Sequence, residues 1–229
     1  MAMILHKRVD TCCKLGVWEI NEDYDDLLSR LSLSSEELER LDGFLSFNRK
    51  LEFLSVRVLM NEMAGKPSRI VYNNERKPFL EDNTHKISIS HSHQLTSILM
   101  SHESKVGIDM EYMSHRIQKI ADKFIHEDEY ISPDEDLVKY HLYIHWCAKE
   151  ALYKLCDKKG IHFKKDIQIA PFEPADEGSL SGIVHRDQGT ESYDLHYFRN
   201  GNYIVVWASK GAGSREQGAG SRELGVGKR

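Results

Sequence analysis

Gly107-Ile108-Asp109-Met110-Glu111 is the stretch on which the fold turns. A strand has a side-chain period of two, so Ile108 and Met110 fall on one face and both carboxylates on the other. The alternation predicts a strand over Val106 to Glu111. Two acids side by side repel unless a cation lies between them, so the pair reads either as a metal site or as the solvated face of an exposed strand. Downstream, Trp146-Cys147-Ala148-Lys149-Glu150-Ala151-Leu152-Tyr153-Lys154 is made of strong helix formers. It sets Trp146, Glu150 and Lys154 on one face at i, i+4 and i+8. Taken alone, Glu150 and Lys154 also fit a surface pair worth about 0.3–0.5 kcal/mol.

Working outward, strands are expected near Val17–Ile20, Ile87–Ser90 and Thr96–Ser101, and a helix opens at Ser34-Ser35 with acids in its first turn. Leu51, Leu54, Val58, Leu59 and Met63 recur at helical spacing from Arg49 to Met63, until Gly65-Lys66-Pro67 ends the run. Arg49 and Arg57 stand two turns apart on that helix and project to one side. Helices are also expected at Arg116–Phe124 and Leu137–Leu155, followed by a hairpin of Tyr193–Arg199 and Tyr203–Ala208 about an Asn200-Gly201 turn. Phe124, Leu142, Trp146 and Tyr153 follow the buried stripe of their helices and read as core. The tail, residues 211–229, repeats Gly-Ala-Gly-Ser-Arg-Glu in glycine-rich sequence and is expected to be disordered.

Composition narrows the function classes. The 229 residues are 40 % apolar and 29 % charged, an ordinary globular balance. A net charge of -5 argues against a protein that grips nucleic acid through a basic surface, while leaving room for a local basic pocket. No run approaches the ~20 apolar residues of a membrane span, and the N-terminus lacks a signal-peptide core. Cys12, Cys13, Cys147 and Cys156 form no CxxC pair, so free thiols in the cytoplasm are expected. Cys147 reads as packing, with no nucleophilic role.

Together the strand and helix motifs resemble the paired signatures of 4'-phosphopantetheinyl transferases of the surfactin-synthetase-activating class. In that family Gly-Ile-Asp-x-Glu is followed by Trp-x-x-Lys-Glu-Ala-x-x-Lys, and here Asp109 and Lys149 are 40 positions apart. Upstream, NERKPFL (Asn74 to Leu80) and ISISHS (Ile87 to Ser92) resemble the family's Gly-Lys-Pro and Ser-His-Ser segments, with Arg76 where glycine is usual. FIHEDEY (Phe124 to Tyr130) extends the likeness, which covers about residues 45–170.

The resemblance implies an α+β fold of two similar halves about a pseudo-twofold axis, residues 1–103 and 104–210, with coenzyme A and Mg2+ in the cleft between them. It implies transfer of the phosphopantetheine arm of coenzyme A to a serine of an apo acyl or peptidyl carrier protein, by a cytoplasmic monomer. Asp109, Glu111 and Glu150 would hold Mg2+, a hard cation that takes oxygen ligands. Lys149 and Lys154 would face the phosphates, and Arg49, Arg57, Lys77, Ser90 and His91 would bind the nucleotide end. Glu150, Glu129 or a metal-bound water would take the serine proton. A non-catalytic coenzyme A binder and an Mg2+-dependent phosphohydrolase are the competing readings. The carrier served, whether of fatty-acid, polyketide or peptide synthesis, is not written in the motifs.

Overall fold

The computed structural model describes residues 3–157, 160–186 and 189–210, together with the backbone of 216–217. In chain order the first elements are β1 (Met3–Arg8), β2 (Cys13–Glu19), α1 (Tyr24–Ser29), α2 (Ser35–Asp42), α3 (Phe47–Ala64), β3 (Ile70–Tyr72), β4 (Pro78–Leu80), β5 (Lys86–Ser92) and β6 (Leu95–Ser101). Then follow β7 (Val106–Tyr112), a 3-10 turn (Ile117–Lys123), α4 (Glu135–Leu155), α5 (Phe163–Asp166), β8 (Ile167–Ile169), β9 (Glu177–Arg186), β10 (Gly189–Asn200), β11 (Tyr203–Ser209) and β12 (Glu216–Gln217).

Two antiparallel sheets organise these elements. One has the order β1-β2-β6-β5, the other runs β7-β11-β10-β9-β8 with β12 on β10, and β3-β4 forms a separate ribbon. The eighteen-residue α3 packs Leu54, Val58, Leu59 and Met63 against Trp18, Ile87, Ile98 and Met100 of the first sheet. The twenty-one-residue α4 packs Ile144, Ala148, Ala151 and Leu152 against Leu195, Ile204 and Val206 of the second. The remaining faces meet each other: Leu15, Val17 and Leu99 close on Ile108, Met110 and Val205. Ile108 and Met110 thus fill an inter-sheet core, and the period of two turns Asp109 and Glu111 to the α4 side.

The helix ends follow from local chemistry. Ser34 accepts from the Glu37 amide at 3.3 Å while Glu37 accepts from the Ser34 amide at 3.1 Å, so α2 starts on a reciprocal capping box. At the end of α3, Gly65 takes φ +67°, the left-handed conformation that closes a helix at little cost in glycine.

Several expectations shift. The strand expected at Val17–Ile20 is β2, ending at Glu19, and the expected helix at Arg116–Phe124 is a 3-10 turn of Ile117–Lys123. In the β10-β11 hairpin Asn200 pairs with Tyr203, so the loop is Gly201-Asn202, with Gly201 at φ +57° in its first position. The turn lies one residue further along than the Asn-Gly dipeptide suggests. β1, α1, β3, β4, β8 and β9 carried too little periodicity to be expected. The tail, residues 211–229, lies outside the described residues apart from the backbone of β12, which pairs with Thr190 and Glu191. Among the described residues no helix is long and apolar enough to cross a membrane.

Candidate active site

The site begins where α4 crosses β7. A Cβ placed on Gly107 would meet the Ala151 carbonyl oxygen at 2.0 Å, so only glycine permits this approach of helix to strand. The close crossing sets Lys154, at the end of α4, over Asp109. Its ammonium donates to Asp109 Oδ1 at 2.7 Å, to the Ile108 carbonyl at 2.9 Å and to Ser90 Oγ at 3.2 Å. Glu150 sits one turn earlier on the same face of α4 and is half-buried.

A second feature joins the two sheets and carries the carboxylates with it. β5 and β7 run side by side in the same direction, linked by serine hydroxyls rather than by a backbone ladder. Ser88 Oγ accepts from the Ile108 amide at 3.0 Å, Ser90 Oγ from Met110 at 3.2 Å and Ser92 Oγ from Tyr112 at 3.0 Å. Ser90 donates its own proton to Asp109 Oδ1 at 2.9 Å, and Ser92 donates to Glu111 Oε2 at 3.0 Å. A hydroxyl can accept and donate at once, so one row of serines fixes both the seam and the two acids. Ser88 and Ser92 carry no chemical motif of their own in the sequence; the signal for them is the serine recurring at every second position of Ile87–Ser92.

The electrostatics of the acid pair are unfinished. Asp109 is 4 % exposed, and its Oδ2 is buried with no hydrogen-bond partner among the described residues. Burial, followed by the neighbouring Asp109 charge, raises the pKa of Glu111 above the ordinary glutamate value. Cys147 lies against the same pair, and burial pushes its thiol well up, with both carboxylates adding to the shift. It therefore stays a neutral packing group.

Beyond Lys154 opens a cleft lined by Arg40, Arg49, Arg57, Arg76, Lys77, Lys154 and His91, with Glu52 the one acid, and with Phe44, Phe53 and Tyr72 among its apolar walls. Arg49 contacts His91 Nε2 at 2.9 Å and pairs with Glu52, which lies 3.6 Å from His91 Nδ1. Burial lowers the His91 pKa, favouring the neutral ring. Lys77 reaches across to Asp157 and the Lys154 carbonyl just past α4. Arg76 lines this cleft at φ +60°, a conformation the glycine usual at that family position would take without strain.

Three expected ligand-facing groups are placed differently. Arg57 is only 3 % exposed, with Nε on Glu37 at 2.8 Å, Nη1 on the Phe53 carbonyl and its guanidinium 3.3 Å over the Phe53 ring. It borders the cleft as a pinned, paired cation. Lys149 is fully buried and donates to Glu129 at 2.7 Å and to the carbonyls of Phe124, Ile167 and Phe163 at 2.6, 2.8 and 3.2 Å. Glu129 spends its other oxygen on the Ile169 amide at 2.8 Å. Lys149 and Glu129 therefore tie the 3-10 turn and α5 to α4 and do not reach the cleft. Neither a phosphate contact nor a base role fits a pair whose hydrogen-bonding capacity is spent inside the core.

Chemically, the arrangement offers hard oxygen donors with one oxygen unsatisfied, a lysine shared between those donors and a cationic cleft, and a set of fork and point charges suited to phosphates. The chain is 29 % identical over 163 residues to "4'-phosphopantetheinyl transferase HetI" of Nostoc sp. (strain PCC 7120), covering 63 % of this chain and 68 % of that protein. Residues 105–208, which include β7, α4 and both acids, match the family model of the 4'-phosphopantetheinyl transferase superfamily.

Proposed function

We propose that this protein is a 4'-phosphopantetheinyl transferase of the surfactin-synthetase-activating class. It moves the phosphopantetheine arm of coenzyme A to a serine of an apo acyl or peptidyl carrier protein and releases 3',5'-adenosine bisphosphate. The observation that carries the reading is Lys154, which lines the cationic cleft and is hydrogen-bonded to Asp109 at 2.7 Å. One side chain therefore addresses both the phosphate-binding surface and the acid pair.

The acid site fits a hard divalent cation, because Asp109 Oδ2 is buried without a hydrogen-bond partner among the described residues and lies beside Glu111, whose carboxyl burial and the Asp109 charge hold above the usual glutamate value. Asp109, Glu111 and Glu150 would hold Mg2+, which when bound neutralises charge on the diphosphate. Arg49, Lys77, Arg76 and His91 bind the nucleotide phosphates, with Ser90 orienting Asp109 and Lys154. The cleft holds about 210 Å3, too little to bury a molecule the size of coenzyme A, so the substrate extends past Lys154 toward the acids. Lys154 offsets charge on the departing bisphosphate. With Glu129 closed behind Lys149, the carboxylate on the Lys154 face of α4 is Glu150.

Each sheet with its long helix is read as one half, residues 1–103 and 104–210, related by a pseudo-twofold axis and hinged on the serine seam. Four free cysteines suit a reducing compartment such as the cytoplasm, and the protein is read as acting as a monomer. The test is the intact mass of candidate apo carriers incubated with the protein, coenzyme A and Mg2+. A gain of one phosphopantetheine at a single serine, with equimolar adenosine bisphosphate, is expected. Bisphosphate without a modified carrier would point to a phosphohydrolase, and tight coenzyme A binding without turnover to a binding protein.

A further inference from the structure

Away from the cleft, the turn from β1 into β2 gathers Asp10, Cys12 and Cys13, whose ligand atoms all lie within 4.8 Å of one another. Cys12 Sγ is 3.5 Å from Cys13 Sγ, 4.0 Å from an Asp10 carboxylate oxygen and 3.7 Å from Ser104 Oγ. Neighbouring side chains of an extended strand point to opposite faces, so two adjacent thiols this close need a special backbone. The turn supplies it: the Val9 amide bonds the Cys13 carbonyl at 3.1 Å, and the Cys13 amide bonds the Asp10 carbonyl at 3.4 Å. Both thiols are free, Cys12 half-buried and Cys13 buried.

The spacing matches a chelate. With metal–sulfur bonds of about 2.3 Å and tetrahedral angles, two thiolates on one ion stand ~3.8 Å apart. The sulfurs need to open by only a few tenths of an ångström. Two soft sulfur donors and one carboxylate select a thiophilic ion over Mg2+, which prefers all-oxygen sites.

We propose that Cys12, Cys13 and Asp10 form a binding site for one thiophilic divalent cation of the zinc class, separate from the acid pair of β7. Binding breaks two S–H bonds, forms two metal–sulfur bonds and releases two protons to solvent; no electron is transferred. A hydrogen bond with Ser101 holds the Cys12 thiol below its ordinary value, which eases the first proton's loss. Burial raises Cys13 to about 11, so the ion itself must displace the second, and affinity rises with pH. The site also abuts the link from β6 to β7, since the Cys12 carbonyl accepts from the His102 amide at 3.4 Å and Ser104 touches its sulfur. Occupancy therefore staples the β1-β2 turn to the segment that leads into the acid strand.

The experiment titrates the full chain with Cd2+ and then Zn2+, under a non-thiol reductant and excess Mg2+, with ultraviolet absorption and native mass spectrometry as readouts. One Cd2+ per chain is expected, with a thiolate-to-cadmium charge-transfer band and a mass equal to protein plus metal less two protons. Cys12→Ser should abolish the band, Asp10→Asn should weaken binding at least tenfold, and Asp109→Ala should leave it unchanged. No band in the unmodified chain, or a band that survives Cys12→Ser and so belongs to Cys147 or Cys156, overturns the proposal. Formation of a Cys12–Cys13 disulfide in place of metal uptake overturns it as well. None of these outcomes bears on the transferase reading, which is read from the carrier's mass.

Discussion

Helix α4 carries two lysine–carboxylate pairs at the same separation, 2.7 Å, and with opposite designs. Lys149 and Glu129 expose 0 % and 2 % of their side chains, and three carbonyls and the amides of His126 and Ile169 take up the rest of their hydrogen-bonding capacity. Lys154 and Asp109 expose 19 % and 6 %, and the pair leaves one buried carboxylate oxygen without a partner. The first pair is closed and holds structure together. The second is left incomplete at the edge of a cleft, an arrangement that lowers stability unless a ligand completes it. Since both lysines belong to one nine-residue motif, the contrast separates a closed, buried pair from an open one within that motif.

The largest expected effect falls on the closed pair. Lys149→Met leaves Glu129 uncompensated and removes a donor shared by three carbonyls, so it should cost about 3–5 kcal/mol in denaturant unfolding. The double variant Lys149→Met, Glu129→Leu should recover much of that loss, because removing both partners removes the stranded charge. Transfer per folded molecule should stay within a few-fold. A stable Lys149→Met variant with a collapsed rate would break the comparison and return Lys149 to the phosphates.

Lys154→Ala addresses the open pair. Its loss should raise the barrier by ~3–4 kcal/mol, the usual effect of deleting one charge-stabilising donor, while coenzyme A still binds. It also strands the buried Asp109 carboxylate, so metal-free stability should fall as well, by less than for Lys149→Met because Ser90 still donates to Asp109. Next in size are the nucleotide contacts. Arg49→Ala or His91→Ala should raise the Michaelis constant for coenzyme A about tenfold, some 1.4 kcal/mol, with a smaller effect for dephospho-coenzyme A. Arg57→Ala should behave unlike them and destabilise the fold, since Arg57 is buried and holds Glu37, the acid of the α2 capping box.

This same contrast marks how far the sequence could be read. Period-two alternation in Gly107–Glu111 was enough to separate the acid face from the core face, because a strand has only two faces. The helical spacing of Glu150 and Lys154 placed them together for a similar reason. What no one-dimensional pattern carries is which face of α4 a given residue meets in space. Lys149 stands one position from Glu150, and that single step of about 100° turns it from the Lys154 face of the helix into the core. Glu129 stands among other acids in the sequence, and nothing local marks it, because its partner lies 20 positions away. The serine seam was legible as alternation but not as a seam, since its partners are backbone amides that sequence does not distinguish. β8 and β9 escaped because their burial comes from tertiary packing, which overrides local propensity, and β1 because it is an edge strand with no buried residue to mark it.

Glu111→Gln sharpens the comparison through pH. Burial and Asp109 raise the Glu111 pKa in the folded state, so the native chain binds its proton more tightly than the unfolded chain. That contribution is fully present below the unfolded value of about 4.3 and is lost as pH rises through the raised folded value. Above that window the Glu111 charge opposes folding without a metal, so Glu111→Gln should stabilise the metal-free protein. Mg2+ should protect the unmodified protein against heat more strongly than the variant, and that protection should fade on acidification. Equal Mg2+ protection of both proteins would remove Glu111 from the metal set.

Arg76 gives the smallest effect and the same trade in miniature. A non-glycine residue at φ +60° bears a steric cost of roughly 1–2 kcal/mol, which glycine avoids while giving back about 0.5–1 kcal/mol through the entropy of a freer unfolded chain. Arg76→Gly should therefore stabilise by about 0.5–1 kcal/mol in denaturant unfolding. It also removes a cation from the cleft wall, so the Michaelis constant for coenzyme A should rise a few-fold with kcat unchanged, the signature of a contact made equally in ground and transition states. Arg76→Ala separates the two terms: it deletes the charge and keeps the strain, so it should weaken binding as much as glycine does and recover none of the stability. If Arg76→Gly gains stability and leaves coenzyme A binding untouched, the strain serves no ligand, and the open, ligand-completed character of the cleft ends at Lys77.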